Sequence, residues 1–549
     1  MAKVLQPLEA AFPGVYHNPV FPGDFPDPSV IRVGDAFYAV TTSTDWAPFF
    51  PIFRSFDLVR WSIVGHVFAE RPVWCVGNFW APDLAERDGR FFVYYTARRA
   101  DGPLCVAVAT AERPEGPYAD HGPLVGQRCG SIDAMATEDE FGDPWLLWKE
   151  DGNSVGDPTP IWAQPLEPGG TALRGEAVEL FRNDQPWEAH LVEAPHVIRH
   201  DGWFYMFYSG NACCGEDCAY AVGVARSLQL TGPWEKYANN PILAGNDAFK
   251  CPGHGAPVCD AEGRWFYLYH AYEHARDGIF VGRQLCLDEI EWSDNGWPTI
   301  NRGRGPSRHA PAPFGTLRVP PRRSRMSANL AAPLDRVWEW PQSDRPVVTR
   351  DRRGTCLTPA YARRPDDPVA AVLARRTSCG DYAAVATLEP NESGAGTLAS
   401  LCAYGTRRDA LGIGLRDGAI IVWRRRGGKF VELAHAALPR GRTVHLRCTA
   451  IDGRSYRFAY GVDGRSWTTL GDRIDGAWLP PWDAGVRVAL AVGGAGAPFA
   501  RFRTLDIVPT PAPVTSLADR ILRLRERLHG RDGTRTVTAR TAASRTKAV

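Results

Sequence analysis

No stretch of this sequence approaches the ~18 uninterrupted apolar residues of a membrane-spanning helix, so such a helix is excluded. Neither sign of charge is in excess. The 63 basic and 62 acidic side chains leave a net +1, and nothing draws the chain as a whole toward nucleic acid or a membrane. Met1 to Val20 lacks the apolar core of a secretory signal and carries Pro7, Glu9 and Pro13 instead, which points to the cytoplasm. A phosphate loop (G-x-x-x-x-G-K), a nucleophile elbow (G-x-S-x-G) and a dinucleotide fingerprint are all missing, which removes the common nucleotide- and serine-dependent chemistries. Cysteine is sparse. Thirteen residues, an odd number and thinly spread, suit reduced thiols better than a disulfide framework. One cluster stands apart: Cys213, Cys214 and Cys218, with Cys251 further on. A zinc site needs ligands paired at tetrahedral spacing, which a vicinal pair does not offer, so a strained loop or one disulfide is expected there.

What is abundant is glycine (54), proline (45) and aromatic residues (19 Trp, 17 Tyr, 24 Phe), the composition of many turns and aromatic strands. At ~150 residues per domain, the 549 residues are enough for two to four domains. A unit recurs five times: a glycine, then an aromatic strand. Gly34 leads into Phe37-Tyr38, Gly89 into Phe91-Phe92-Val93-Tyr94-Tyr95, and Gly142 into Trp145-Leu146-Leu147-Trp148. Gly202 leads into Phe204-Tyr205-Met206-Phe207-Tyr208, and Gly263 into Trp265-Phe266-Tyr267-Leu268-Tyr269. The glycines are 55, 53, 60 and 61 residues apart. Turns such as Asp88-Gly89 and Asp201-Gly202 are hairpin signals, and a second strand-like run follows most units. Each unit suits a four-stranded blade, and five of them predict a five-bladed β-propeller within residues 1–302.

In a propeller, the strand before each hairpin turn lies beside the central channel. These strands begin Asp27-Pro28-Ser29, Trp80-Ala81-Pro82-Asp83, Ser131-Ile132-Asp133, Val192-Glu193-Ala194-Pro195-His196 and Gly253-His254-Gly255. A single acid at a strand start is ordinarily a cap. Several carboxylates brought into register by a repeat imply chemistry, because like charges in one cleft are costly. Such a set suits hydrolysis of a glycosidic bond, with one acid activating water, one protonating the leaving oxygen, and a neighbouring charge tuning the proton donor.

These five motifs resemble, in order and spacing, glycoside hydrolase family 43. The resemblance implies an inverting hydrolase with Asp27 as general base, Glu193 as general acid and Asp133 as the residue that tunes and orients Glu193. It implies that no cofactor is needed for the chemistry, but that a Ca2+ or similar cation can sit in the channel beside His254, held through water. It also implies that Arg283, in Val281-Gly282-Arg283, contacts substrate near the acids. Ala134 departs from the family, which more often has proline there. Trp74 and Trp80 are the preferred sugar-stacking pair, ahead of Trp46, Phe79 and Trp187; His196 reads as a packing residue.

Residues 303–325, with six arginines and no acid, read as an Arg/Pro-rich linker. About seven short strands between 326 and 508 predict a β-sandwich of two antiparallel sheets. Trp338-Glu339-Trp340-Pro341 and Asp463-Gly464-Arg465-Ser466-Trp467 resemble the lectin-like C-terminal domain of family-43 β-xylosidases. In such relatives that domain can narrow the pocket. Within 509–549, Leu517, Ile521, Leu524 and Leu528 form the apolar stripe of a short helix, able to dock on the sandwich or to join a homo-oligomer; a basic tail follows. The expected function is release of terminal xylose or arabinofuranose from oligosaccharides. Endo-acting arabinan hydrolysis, or sugar binding without catalysis, are the alternatives.

Overall fold

Hairpin chemistry dictates the blades. Asp88 and Gly89 take φ values of 52° and 73°, and Asp201 and Gly202 values of 46° and 83°, the doubly left-handed turn that matches the twist of an antiparallel pair. The computed structural model describes residues 14–274, 278–313, 325–360, 367–495 and 497–510. The linker stretch 314–324, the expected helix at 517–528 and the basic tail lie outside the described residues.

Five four-stranded antiparallel sheets follow one another, four built from consecutive strands and the first interrupted by the short strand Trp46–Ala47. The first blade runs from Ser29–Val33 to Ser62–Phe68, the second from Cys75–Arg87 to Ala119–Val125, and the third from Ser131–Glu138 to Val178–Phe181. The fourth runs from Val192–His200 to Glu235–Lys236, and the fifth from Phe249–Cys259 to Pro298–Ile300. First strands of neighbouring blades pack on one another around the ring, so the strands that carry the acids are the inner ones. The core between blades is aromatic, with Trp61, Trp148, Tyr95, Tyr205, Tyr208, Tyr267 and Tyr269 almost wholly buried. The ring closes without a shared blade. Val15–His17 pairs with His309–Pro311, and Asn18 bonds Leu287 in both directions while also donating to the Ser307 carbonyl. Part of the expected linker is therefore a strand of this closure.

The second domain is a sandwich of a nine-stranded and a six-stranded sheet, twice the richness the sequence suggested. Strands passed over include Thr397–Thr406, buried throughout and so without alternation, and Lys429–Ala437, whose Lys-Phe-Val-Glu-Leu-Ala-His run looks helical. Trp340–Pro341 of the sandwich pairs with Trp46–Ala47 of the first blade, and Gln342 donates to Asp45 and to the Val76 carbonyl.

Of the thirteen cysteines, four form two disulfides, Cys213–Cys214 and Cys218–Cys251, and the other nine form none. The cluster thus holds two disulfides where one was expected: the adjacent pair bonds to itself and frees Cys218 to reach Cys251 on the fifth inner strand.

Candidate active site

Just before or within each inner strand sits a residue in the left-handed region: Asp27 (φ 57°), Ala81 (41°), Asp133 (58°), Ala194 (57°) and His254 (40°). For residues with a Cβ this costs on the order of 1–3 kcal/mol each, and it recurs at the same place in every blade. In four blades the pairing register slips beside it, between Trp80 and Asp83, Ile132 and Met135, Glu193 and His196, and Gly253 and Ala256. These are β-bulges, which turn side chains out of the pleat and into the channel.

A bulged amide is lost to the ladder and needs another acceptor when buried. The preceding blade supplies it, from the residue that follows the aromatic run of its second strand. Thr42 Oγ1 accepts from Ala81 N (2.6 Å), Thr96 Oγ1 from Asp133 N (3.2 Å) and Ser209 Oγ from His254 N (2.9 Å). Two blades depart from this. In the fifth the residue is His270, whose Nδ1 accepts from Asp27 N (3.1 Å) and lies 3.2 Å from Asp27 Oδ1. In the third it is Lys149, which has no acceptor to offer; Ala194 N donates instead to Asp133 Oδ2 (3.1 Å), and Lys149 Nζ donates to Glu193 Oε2 (2.8 Å). The two exceptions touch two of the three carboxylates singled out by sequence.

The three acids sit in different fields. Burial works to raise Asp27, but Arg283, whose Nη1 donates to Oδ1 at 3.0 Å, with His254, holds it well below the carboxylate range. Burial likewise works against ionised Glu193, and is outweighed by the Lys149 ammonium and by the Tyr220 hydroxyl donating to Oε1 (2.8 Å), so Glu193 is lowered. Asp133 has no such partner: burial, opposed by His254 and reinforced by Glu193, lifts it to about 7. Sequence placed the raised acid at Glu193; the structure raises Asp133. Burial brings His270 down to about 4, which leaves its imidazole neutral, free to accept from Asp27 N.

His254 Nδ1 faces Asp27 Oδ1 (3.5 Å) and Asp133 Oδ2 (3.9 Å). The channel beneath, lined by Pro28, Ala81, Asp83, Ala134, Pro195 and His196, encloses about 20 Å³, room for roughly one water. Asp83 is already used, accepting from Ser29 Oγ (2.8 Å) and Ala136 N (3.0 Å). Among the described residues no three His, Cys, Asp or Glu side chains converge as metal ligands. The chemistry derived for the acids depends on no cation.

The comparisons with known proteins match this geometry. A profile described as glycosyl hydrolases family 43 fits residues 16–298, the whole ring of blades. The chain belongs to glycosyl hydrolase family 43. Its reaction is hydrolysis of O-glycosyl bonds. Residues 359–494 match a second profile, the β-xylosidase C-terminal concanavalin A-like domain. A "Xylosidase/arabinosidase" of Butyrivibrio fibrisolvens is 30% identical over 307 residues, spanning 53% of this chain and 57% of that protein. "Xylosidase/arabinosidase 43B" of Humicola insolens is 27% identical over 504 residues, 83% of this chain and 89% of its own. The fold of the crystallised GH43 protein BlXynB of Bacillus licheniformis superposes with a TM-score of 0.75 at 24% identity, over 90% of this chain and all of that one.

Within the family-43 site the remaining expected residues divide. Arg283 is buried against Asp27 and donates Nη2 to the Asp483 carbonyl (3.1 Å), so its guanidinium serves the acid and the sandwich. Trp80, on the second inner strand, has Trp482 of the sandwich as its ring partner, edge-on at 5.9 Å, and not Trp74. Trp74 precedes the inner strand and turns to its own blade's outer strand, donating to Asp120 (3.0 Å). Trp46 is buried against Tyr404 and Arg487, Phe79 stacks on Phe49, and Trp187 packs on Tyr208. Lys149, Tyr220, His270 and Trp482 escaped the sequence reading. For Lys149 and His270 a signal was present: aligned on the aromatic run, the repeats read Thr42, Thr96, Lys149, Ser209, His270, and the two that are not hydroxyls are the two that reach a carboxylate.

Proposed function

We propose that this family-43 enzyme is an exo-acting, inverting hydrolase that releases terminal pentose, xylose or arabinofuranose, from oligosaccharides. The observation that carries the assignment of roles is the unequal treatment of the acids: Asp27 is held ionised, while Glu193 and Asp133 together keep a proton within reach of neutrality. Asp27 takes a proton from water; the water oxygen bonds to the anomeric carbon as the bond from that carbon to the leaving oxygen breaks. Glu193 gives its proton to that oxygen, and the free sugar and the shortened chain depart. Protonation of Glu193 belongs to the substrate complex, where expelled water makes its carboxylate more costly. Asp133, anchored by Ala194 N, orients the strand start that carries Glu193 and shares its charge. Trp482 against Trp80 narrows the mouth, which favours single terminal residues over an open groove. The names of the relatives quoted above are consistent with pentose release.

Two measurements test this. Proton NMR of the product from an aryl xyloside or arabinofuranoside is expected to register the inverted anomer first; initial retention overturns the mechanism. Glu193→Ala is expected to cost on the order of 10²–10⁴-fold on alkyl glycosides and far less on a dinitrophenyl glycoside, whose leaving group needs no proton. Equal losses on both overturn the assignment of Glu193.

A further inference from the structure

Asp24 lies three residues before Asp27 and is only 3% exposed. Its two oxygens join the domains. Oδ1 accepts from Arg283 N (3.1 Å) in the propeller, and Oδ2 accepts from Gly485 N (3.0 Å) and Arg487 Nη1 (2.7 Å) in the sandwich. Arg487, 2% exposed, also donates Nε to Glu339 Oε1 (3.0 Å), and Glu339 in turn accepts from Arg376 Nε (3.0 Å). The two backbones run in contact here. Val486 N donates to Phe280 O (2.8 Å). A Cβ on Gly485 would lie 2.3 Å from Val281 O, and one on Gly282 2.3 Å from Asp24 Oδ1, so only glycine permits the approach. From this strap Arg283 reaches across: Nη1 to Asp27 Oδ1 at 3.0 Å and Nη2 to the Asp483 carbonyl at 3.1 Å, with Nε buried and unpaired.

We propose that Asp24 and Arg487 are positioning residues for the catalytic base: the sandwich fixes the backbone and guanidinium of Arg283, and Arg283 fixes Asp27. The inference rests on Asp27 being that base. Neither residue touches substrate. A guanidinium suspended between one carboxylate and one carbonyl has no other hydrogen bond to set its plane, so its aim depends on where the 483–487 loop lies. The charged and titratable groups around Asp27 are Arg283, His254, His270 and Asp133; those around Asp24 are Arg283, Arg376, Arg487 and Asp483. The accessory domain is on this view a working part of the propeller's active site, through its core as well as its rim.

The test uses the full chain and three variants. Asp24→Asn keeps the shape and removes the charge; Arg487→Lys keeps a cation and loses the planar fork. Gly485→Ala displaces Val281 to Arg283 without removing any charge. On an aryl pentoside, at a temperature where circular dichroism shows each variant folded, kcat and kcat/KM are expected to fall together by about tenfold to hundredfold, with KM within about threefold of wild type. A merely structural role would lower the melting temperature and leave kcat per folded molecule unchanged. That outcome overturns the proposal, as does a rise in KM alone, which would make Arg283 a substrate ligand. Asp27→Ala, measured alongside, separates the two ways of failing: if it stays active, the base assignment itself is wrong; if it is inactive while the three variants match wild type, only the strap is.

Discussion

The first, second and fourth blades and the third and fifth solve one local problem in two ways. All five inner strands carry, at or just before the strand, a left-handed residue whose amide must be capped by a neighbour. Three blades cap it with a hydroxyl, at Thr42, Thr96 and Ser209, which is all a structural role needs. The other two place Lys149 and His270 at the same position, and each reaches a carboxylate. A cheaper residue was available at both places and is in use next door. The lesson is that in a repeat protein, chemistry is marked by what breaks the repeat more than by what obeys it.

Four experiments press on that contrast, in falling order of effect. Asp27→Ala removes the group that His270 serves and is expected to lower kcat by at least ~10²–10⁴-fold with unchanged circular dichroism. Lys149→Thr makes the third blade like its neighbours. It is expected to cost about 10²-fold in kcat; without the ammonium the Glu193 carboxylate is less favoured, so the basic limb of the pH–rate profile moves to higher pH. A limb that stays in place would mean Lys149 does not govern that proton. His270→Ser, the matching change in the fifth blade, is expected to cost only about tenfold, the worth of one hydrogen bond, because Arg283 and His254 still hold Asp27. Thr42→Val alters a purely structural cap. It leaves Ala81 N unpaired and is expected to destabilise by about 1–3 kcal/mol in denaturant unfolding while kcat is unchanged. A large loss of activity there would erase the distinction between the two kinds of blade.

Asp133 allows a thermodynamic version of the test. Its folded-state carboxyl, raised to about 7, binds a proton more tightly than it does in the unfolded chain. It therefore stabilises the fold below about pH 4 and loses that contribution as pH rises toward 7, with a slope of at most about 1.4 kcal/mol per pH unit. His270 and His196, lowered to about 4 and about 3, act with the opposite sign as pH rises to about 6.5. The difference between wild type and Asp133→Asn isolates the carboxyl: the variant is expected to melt higher than wild type at pH 7.5, by a margin that shrinks toward pH 4, while turning over more slowly.

The glycine-and-aromatic period revealed the blades, and the residues before each glycine revealed Asp27, Asp133, Glu193 and His254, because both signals are local in the chain. Arg283 was legible as a residue and not as a role. Its partners, Asp24 and Asp483, lie 259 and 200 positions away, and no spacing rule reaches so far. Trp74 misled for the converse reason: nearness in sequence to Asp83 says nothing of which side of the strand start it leaves from. In the sandwich, wholly buried strands and polar edge strands lack the alternation that makes a strand readable, so fewer were seen than exist.

The closure at Asn18 has a consequence for how the molecule is made. Every blade is assembled from strands close in sequence, the first skipping only Trp46–Ala47, so each can form from local contacts as it leaves the ribosome. Only the Asn18–Leu287 bonds and the Val15–His17 strand must wait, for they span some 270 residues. Asp27 and His270 face each other across that same boundary. The nascent chain can therefore complete its fifth blade before the Asp27–His270 contact exists, and that contact forms only when the two edges of the ring meet.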